Sequence, residues 1–314
     1  MSASYSLAAR PIAVELHAIL RDLDPARLRD DMRAKLQLRL ETVKERLEAM
    51  RSISSHDDSL ERLKGQIVEL ETILRSAAAE TREEWLALGQ RLRPAYEQLR
   101  VELLGYDIHV PALRPTNYRR NVLHVGSGFF ALFVILAVPS PAWMIGIAGS
   151  FFVYAWTMEF SRRRWPSVNE RIMKFYGPVA HPHERERINS ATWYTTALIG
   201  LALTGSPVVC AVAVLVLGLG DPSAAIIGRR WGRTKLINGR SLEGSLAFIA
   251  AGGSLALGAL LIFFGELSFG QAALLSYGGA TGGAIAELLS RRVDDNLTIP
   301  IATGLVVWAL SALI

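Results

Sequence analysis

Residues 207–223 have the sequence PVVCAVAVLVLGLGDPS, an apolar run that ends in Asp221 and Pro222. Because proline disfavours the helical conformation of the residue before it, the sequence predicts a helix break at Gly220–Asp221. The helix before the break would be about 21 Å long, which is shorter than a bilayer core of about 30 Å. We therefore expect Asp221 at the mouth of a second short helix, where free amide groups favour anions and the carboxylate favours a divalent cation. The alternative is an aspartate that only caps a helix.

The last two thirds of the chain contain seven apolar stretches of this kind. A helix that crosses a membrane needs about 20 predominantly apolar residues. The candidate spans are residues 121–138, 142–160, 190–204, 207–227, 245–264, 270–289 and 298–314. The sequence therefore predicts a polytopic helical membrane domain of about seven spans over residues 111–314.

Basic residues follow these stretches with a strict alternation. All 17 Lys and Arg of residues 111–314 fall in alternate connections, and the connections at 139–141, 205–206 and 265–269 contain none. The positive-inside rule then places the N-terminus in the cytoplasm and the C-terminus outside. We expect a multi-pass integral protein, of a bacterial cytoplasmic membrane.

Residues 1–110 differ sharply in composition, with 17 Lys and Arg against 19 Asp and Glu. Heptad-like apolar spacing predicts helices over residues 25–50, 60–74 and 81–104, with Gly105 as the glycine that ends the third. Asp24 and Pro25 would begin the first. This all-α segment is interpreted as a cytoplasmic helical hairpin, bundle or coiled coil. Its role is a spacer or a means of homo-oligomerisation, or else a regulatory docking site. The apolar residues of the first two stripes are Leu36, Leu40, Val43, Leu47, Met50, Leu60, Leu63, Ile67, Leu70 and Leu74.

Composition excludes several classes of protein. Hydrophobic residues make up 51% of the 314 residues and charged residues 20%, so neither one soluble globular domain nor a disordered chain fits. The single cysteine, Cys210, permits neither an intramolecular disulfide nor a cysteine-based zinc site. Residues 1–20 lack the pattern of a secretory signal. The net charge of +5 is explained by basic cytoplasmic loops and requires no nucleic acid.

The ionisable residues near the predicted spans collect at the cytoplasmic rim. A transporter needs polar groups near the bilayer midplane with access from both sides. The external side offers only Glu266, so the pattern favours a site that faces the cytoplasm. The rim residues are His124, Glu159, Asn189, Asp221, Glu243, Glu287, Asp294 and Asp295.

A basic, glycine-rich stretch follows Asp221. Glycine lets a backbone approach a ligand closely, and Arg and Lys neutralise phosphate oxygens, so the stretch is able to surround a polyphosphate. Two plainer interpretations stay open: a basic loop beside anionic lipids, and Ser241 as a helix cap with Glu243 in the first turn. No GxxxxGK[ST] loop is present. The candidate phosphate-binding residues are Gly228, Arg229, Gly232, Lys235, Arg240, Ser241 and Gly244.

A second acidic cluster precedes the last predicted span. Asp294 and Asp295, with Glu287 at the end of the sixth span, suit Mg²⁺, which prefers one or two carboxylates plus water and phosphates. The alternative is a Glu287–Arg291 pair with the two aspartates as helix caps. His124 is either catalytic or an interfacial histidine that reaches the headgroups.

These motifs together resemble the polyprenol kinase family, which includes dolichol kinase, phytol kinase and CTP-dependent diacylglycerol kinase. The run from Asp221 to Lys235 with Arg240-Ser-Leu-Glu243-Gly-Ser is similar to the family's nucleotide motif. Glu287 and the later Asp294-Asp-Asn-Leu-Thr-Ile-Pro300 are similar to its second signature, and Arg119-Arg120 with His124 to its entry into the first span. The resemblance covers about residues 118–314. Pro222 stands where family members often have glycine.

The resemblance implies a membrane lipid kinase that transfers a phosphoryl group from CTP, or another nucleoside triphosphate, to a membrane alcohol such as a polyprenol, phytol or diacylglycerol. It implies Asp221 and Asp295 as Mg²⁺ ligands, and Lys235, Arg229 and Arg240 as phosphate ligands. Asp294 would orient or deprotonate the lipid hydroxyl. Glu243 and Glu287 would hold metal or fix the basic residues.

Three other functions stay open at the level of sequence. A nucleotidyltransferase that forms a CDP-lipid would release pyrophosphate rather than CDP. A transporter or channel would need a polar path across the whole bilayer. A membrane scaffold would present the N-terminal helices and would not depend on Asp221.

Overall fold

The computed structural model describes residues 2–51, 60–76, 79–111, 113, 117–176, 187–290 and 293–314. Within these residues the chain forms helices and no β-strand, so the all-α prediction is confirmed. The chain divides into two units, Met1–Thr116 and Asn117–Ile314. The predicted polar break at residues 52–59 and the basic residues Arg114, Arg185, Arg291 and Arg292 lie outside the described residues.

Four helices of the first unit share one apolar core. They are α1 (Ser2–Asp22), α2 (Arg33–Arg51), α3 (Glu61–Arg75) and α4 (Arg82–Gly105). Both predicted leucine-rich stripes are buried in this core, together with Trp85 and Tyr96. The heptad-like spacing therefore marks the buried faces of α2 and α3.

Two predicted helix boundaries in this unit are wrong. Helix α2 begins at Arg33 rather than at Pro25. Asp24 does cap a turn, since its carboxylate accepts from the Ala26 amide at 3.0 Å and its carbonyl accepts from the Leu28 amide at 2.9 Å, but that turn does not continue into α2. Gly105 lies within α4, and the left-handed residue that follows is Asp107, with a φ of 61°. Helix α4 begins with a capping box between Thr81 and Glu84.

The described residues of the second unit form nine α-helices, with a π-helical turn at Val216–Gly220 and a 3-10 turn at Ile237–Gly239. They are α5 (Tyr118–Ala137), α6 (Pro141–Arg164), α7 (Pro166–Tyr176), α8 (Ser190–Ala202), α9 (Pro207–Leu215), α10 (Asp221–Trp231), α11 (Leu242–Phe263), α12 (Phe269–Leu289) and α13 (Asp295–Ser311). Every predicted span coincides with one or two of them. By length and apolar composition, three described helices are able to cross a membrane: Tyr118–Ala137, Pro207–Trp231 and Leu242–Phe263.

Helix α9 is the centre of this unit. All seven side chains from Val209 to Leu215 are buried. Helices α5, α8, α11, α12 and α13 pack around it. A helix that is apolar on every face is typical of a protein core or of a membrane span, and here the neighbouring helices bury it.

The predicted helix break at Gly220–Asp221 is wrong. A π-helical turn over Val216–Gly220 joins α9 to α10, and the Asp221 amide donates to the Leu217 carbonyl within the continuous helix. The wider π turn lets the chain pass Pro222, whose ring would clash with a carbonyl in a regular α-helix. The anion-binding helix N-terminus that the break predicted is therefore absent at Asp221.

Glycines let α5 approach this π turn closely. A Cβ built on Gly128 would lie 3.0 Å from the Val214 carbonyl oxygen, and one built on Gly218 would lie 3.3 Å from the Gly128 Cα. No side chain fits between the two backbones. The start of α5, with His124, is thereby held beside the turn that carries Asp221.

We predict that Gly128→Val destabilises the protein by about 1–3 kcal/mol, because it overpacks a backbone-to-backbone contact. Gly126→Val is the matched control on the same helix, since a Cβ there meets nothing within 4 Å, and its effect should stay within about 0.5 kcal/mol. Thermal unfolding in detergent measures both. Equal losses of stability in the two variants would refute the close contact.

Candidate active site

Arg240 joins two acidic segments at one end of the second unit. Its Nη1 lies 2.7 Å from Glu287 Oε1 at the end of α12, and its Nη2 lies 3.7 Å from Asp295 Oδ2 at the start of α13. The Glu287 side chain is only 2% exposed, whereas Arg240 and Asp295 are 32% and 30% exposed. The Arg240 guanidinium therefore contacts both carboxylates and remains accessible to solvent.

The loop that carries Arg240 is a small hairpin between α10 and α11. The Leu236 amide donates to the Arg240 carbonyl at 2.9 Å, and the Leu242 amide donates to the Thr234 carbonyl at 3.0 Å. Asn238 and Gly239 form its tip, both with positive φ (55° and 74°). Asn-Gly is the pair that tight turns of this kind prefer. The Asn-Gly pair is thus the sequence signal that marks this turn.

Two contacts anchor the hairpin to the neighbouring helices. The Asn238 side chain donates to the Leu288 carbonyl at 2.7 Å, which ties the tip to the end of α12. The Glu243 carboxylate accepts from the Thr234 amide at 3.0 Å. In the described contacts Glu243 thus fixes the basic loop, which is one of the two roles expected for it.

Ser241 and three glycines pack α10 against α11. Ser241 caps α11 by accepting from the Gly244 amide at 3.2 Å. A Cβ on Gly232 would lie 2.5 Å from Ser241 Oγ, one on Gly228 would lie 3.0 Å from the same atom, and one on Gly244 would lie 3.0 Å from the Ala224 carbonyl. Close helix packing is therefore a sufficient reason for these glycines. Their predicted contact with a nucleotide stays a prediction.

Asp221 is the acidic group of the central helix. Its carboxylate interacts electrostatically with Arg240, Arg120, Arg229 and Asp294. These partners come from four different segments of the unit. Three of these partners are arginines, so positive charges surround the carboxylate at the end of the buried helix.

Asp294 is held in a second chain of contacts. It caps α13, where it accepts from the Asn296 backbone amide at 3.0 Å and from the Asn296 side chain at 2.7 Å. Its other oxygen accepts from the Ser190 hydroxyl at 3.1 Å, and Ser190 in turn accepts from Arg120 Nη2 at 3.1 Å. The alternative interpretation made both aspartates helix caps; the structure shows the cap at Asp294, and Asp295 is the first residue of α13.

Asp295 precedes the predicted span at 298–314, and its surroundings disfavour its charged form. Burial, followed by the nearby carboxylates of Asp221 and Asp294, raises the pKa of Asp295 to about 6, although Arg240 and Arg120 act in the opposite direction. Like charges this close disfavour full ionisation. Burial and the neighbouring carboxylates thus make the charged form of Asp295 costly, and a bound cation would lower that cost.

Only two of the three carboxylates predicted to bind Mg²⁺ are arranged to do so. Among the described residues, no group of three or more His, Cys, Asp or Glu is arranged to hold a metal ion. Glu287 is paired with Arg240, whereas Asp221 and Asp295 lie close enough to affect each other's charge. Two carboxylates are what Mg²⁺ uses when phosphates and water complete its shell. The residues present thus fit a metal ion that arrives with a nucleotide.

The remaining predicted residues lie at the edges of the cluster. The His124 carbonyl accepts from the Ser127 hydroxyl at 2.9 Å. Lys235 Nζ donates to the Gly232 carbonyl at 3.2 Å, within the hairpin. Arg291 lies outside the described residues, so the alternative Glu287–Arg291 pair is not described, and the described partner of Glu287 is Arg240.

A buried ion pair supports the segment that leads to Ser190. The Glu159 carboxylate accepts from Arg162 Nε at 2.7 Å and from Arg163 Nε at 2.6 Å, and it also accepts from the Asn189 amide at 3.3 Å. Asn189 then caps α8. Ser190 was not among the predicted site residues, because a serine at a helix start carries no signal of a distant partner.

The chain matches no protein-family model and no solved structure. Three curated relatives match it. A phytol kinase of Synechocystis sp. is 29% identical over 240 residues, which are 73% of this chain and 93% of the relative. The resemblance to the polyprenol kinase family is confirmed. The CTP-dependent diacylglycerol kinase 1 of Schizosaccharomyces pombe is 24% identical over 61% of this chain and 92% of the relative. The CTP-dependent diacylglycerol kinase 1 of Saccharomyces cerevisiae is 25% identical over 59% of this chain and 70% of the relative. These homologues support a lipid kinase.

We predict that Arg240 and Glu287 are energetically coupled. Arg240→Gln leaves a carboxylate buried without its partner, which costs about 3–5 kcal/mol, and the double variant with Glu287→Gln recovers part of this loss. A double-mutant cycle on thermal stability in detergent should give a coupling of about 1–3 kcal/mol. The exposed pair Lys44–Glu41, at 2.9 Å, is the control and should give less than about 1 kcal/mol. Additive losses at Arg240 and Glu287 would contradict the pairing.

Proposed function

We propose that this protein transfers the γ-phosphoryl group of CTP to the hydroxyl of a membrane alcohol, such as a polyprenol, phytol or diacylglycerol. The observation that carries the proposal is the convergence of Arg240, Asp221, Asp294 and Asp295 at one end of a helical unit with an apolar core. Basic and acidic groups side by side are what a phosphate–metal substrate requires. The names of the two yeast relatives support CTP as the donor.

The basic residues would bind the phosphates. Arg240 has five N–H donors, and its contact with Asp295 at 3.7 Å is looser than its contact with Glu287. A phosphate oxygen is therefore expected to replace the looser contact, while Glu287 keeps the guanidinium in place. Arg229, in the last turn of α10, would add positive charge near Asp221. Lys235 lies in the same hairpin as Arg240 and would bind the terminal phosphates.

The carboxylates would hold the metal and the acceptor. Asp221 and Asp295 would bind Mg²⁺, which supplies charge neutralisation along the phosphates. Asp294 would accept the proton of the lipid hydroxyl as the hydroxyl oxygen bonds to the γ-phosphorus and the bond from that phosphorus to the β-phosphate oxygen breaks. The products are the lipid phosphate and CDP. Ser190, which donates to Asp294, would keep that carboxylate oriented.

We also propose the seven-span arrangement with a cytoplasmic helical N-terminal unit. The support is the alternation of basic connections in the sequence together with the helices that coincide with the predicted spans. This orientation brings the cluster to the cytoplasmic face, where a soluble nucleotide meets a headgroup-level hydroxyl.

The activity is tested with γ-labelled CTP in detergent micelles that contain Mg²⁺ and a lipid alcohol. We expect label to enter the lipid phase, CDP to be released, and Asp221→Asn to lower the rate by about a hundredfold or more. Asp107→Asn is the control, because Asp107 is 98% exposed and asparagine also tolerates its left-handed backbone. Release of pyrophosphate instead of CDP would replace the kinase by a nucleotidyltransferase, and full activity of Asp221→Asn would refute the site.

The topology is tested by cysteine labelling in a Cys210→Ser background. We expect a membrane-impermeant maleimide to label Glu266→Cys and Leu313→Cys on intact cells. Asp107→Cys and Arg233→Cys should react only after permeabilisation. Labelling of all four positions from one side would overturn the arrangement.

A further inference from the structure

An apolar pocket lies among α5, α6, α8 and α9 in the second unit. Its volume is about 220 Å³. Its wall is almost entirely hydrocarbon and includes Val134, Met144, Ala148, Leu198 and Val214. None of the sequence motifs falls in this wall, so the proposed phosphoryl transfer does not yet account for it.

The polar end of the pocket lies next to the carboxylate cluster. Tyr194 lines the pocket and follows Ser190 by four residues on α8, which is about 6 Å along a helix. Ser190 donates to Asp294. On α5, Ser127 lines the pocket and its hydroxyl donates to the His124 carbonyl. From Tyr194 to Ala202 the pocket then follows α8 for about 12 Å away from the cluster.

Two exposed aromatic rings border the pocket on the outside of the unit. Phe130 and Phe151 both line it, and they are 57% and 44% exposed. Their ring centroids lie 6.5 Å apart in an edge-to-face arrangement. Because α5 is one of the helices long and apolar enough to cross a membrane, this side of the pocket would face lipid chains. A hydrocarbon chain is thus able to enter sideways from a bilayer.

The volume limits what the pocket holds. An apolar protein cavity of about 150 Å³ takes up benzene, with six carbons. By the same ratio, the pocket has room for roughly nine carbons. One chain fits over part of its length. A diacylglycerol carries two ester groups next to its hydroxyl, and burial of these polar groups against a hydrocarbon wall is costly, so an alcohol with a plain hydrocarbon chain fits better.

We propose that this pocket binds the hydrocarbon chain next to the hydroxyl of a single-chain membrane alcohol and so presents that hydroxyl to Asp294. The proposal rests on the proposed lipid-kinase function. It names the acceptor class, a single-chain alcohol rather than diacylglycerol, and it makes Ala148 a residue that sets which chains fit. Binding of the chain positions the hydroxyl because the pocket and the cluster share α8.

The first test narrows the pocket with Ala148→Phe. Ala148 is buried in the wall, so the phenyl ring would occupy the space of the chain. We expect the KM for a long single-chain alcohol to rise at least tenfold. The kcat with a five-carbon branched alcohol, which fills only about half of the pocket from the hydroxyl end, should stay within twofold. Ala142→Phe, on the exposed first turn of the same helix, is the matched control and should change neither value.

The second test reads binding without catalysis and needs no variant. The unaltered protein is irradiated with a long-chain alcohol that carries a diazirine near its hydroxyl end, and cross-linked peptides are mapped by mass spectrometry. We expect cross-links in α5, α6 and α8 that excess unlabelled alcohol suppresses. If no phosphoryl transfer occurs but these cross-links form, the proposed function fails and the binding pocket stands.

Two results would overturn the inference while the kinase stands. One is transfer to long-chain alcohols with an unchanged KM in Ala148→Phe and cross-links outside these helices. The other is preferential labelling of the pocket by a diacylglycerol probe, which would contradict the single-chain acceptor.

Discussion

The second unit is organised by one constraint: a helix that is buried on every side carries a carboxylate at its end. The side chains from Val209 to Leu215 leave α9 no polar face, and the surrounding helices bury all of them. Asp221 follows six residues later, and its charge would be costly in that setting without opposite charge. Arg120, Arg229 and Arg240 converge on it from α5, α10 and the hairpin. The candidate site is thus the place where the central helix meets its counter-charges.

Local sequence signals explain how the most important of those charges is positioned. Asn238-Gly239 makes the tight turn, Ser241 begins α11, and Glu243 holds the Thr234 amide. Each contact joins residues close in sequence and gives backbone groups a hydrogen-bond partner that they would otherwise lack. Together they direct Arg240 towards Glu287 and Asp295, which come from elements about 50 residues further along the chain. A local turn therefore sets up a long-range ion pair.

The polar cluster and the apolar pocket are two ends of one arrangement. Helix α8 carries Ser190 at the cluster and Tyr194 in the pocket, and α5 carries Arg120 and Ser127 in the same order. Because both helices run from charged to apolar surroundings, a molecule with a hydroxyl head and a hydrocarbon tail matches them in polarity. This match links the chemistry expected at Asp294 to the shape of the unit.

The sequence by itself determined the charge pattern and all the helices except α1 and α7, which it did not predict, because apolar period, capping residues and composition are local properties. It identified the apolar run at 207–220, the capping residue Asp294 and the residues of the family motifs. The predicted helix break at Gly220–Asp221 was wrong. A π turn accommodates Pro222 within a continuous helix, and Gly218 of this turn packs tightly against Gly128. Only the tertiary structure decided that Arg240 pairs with Glu287 and that Ser190 reaches Asp294. Such contacts depend on how helices pack, and no spacing along the chain encodes that packing.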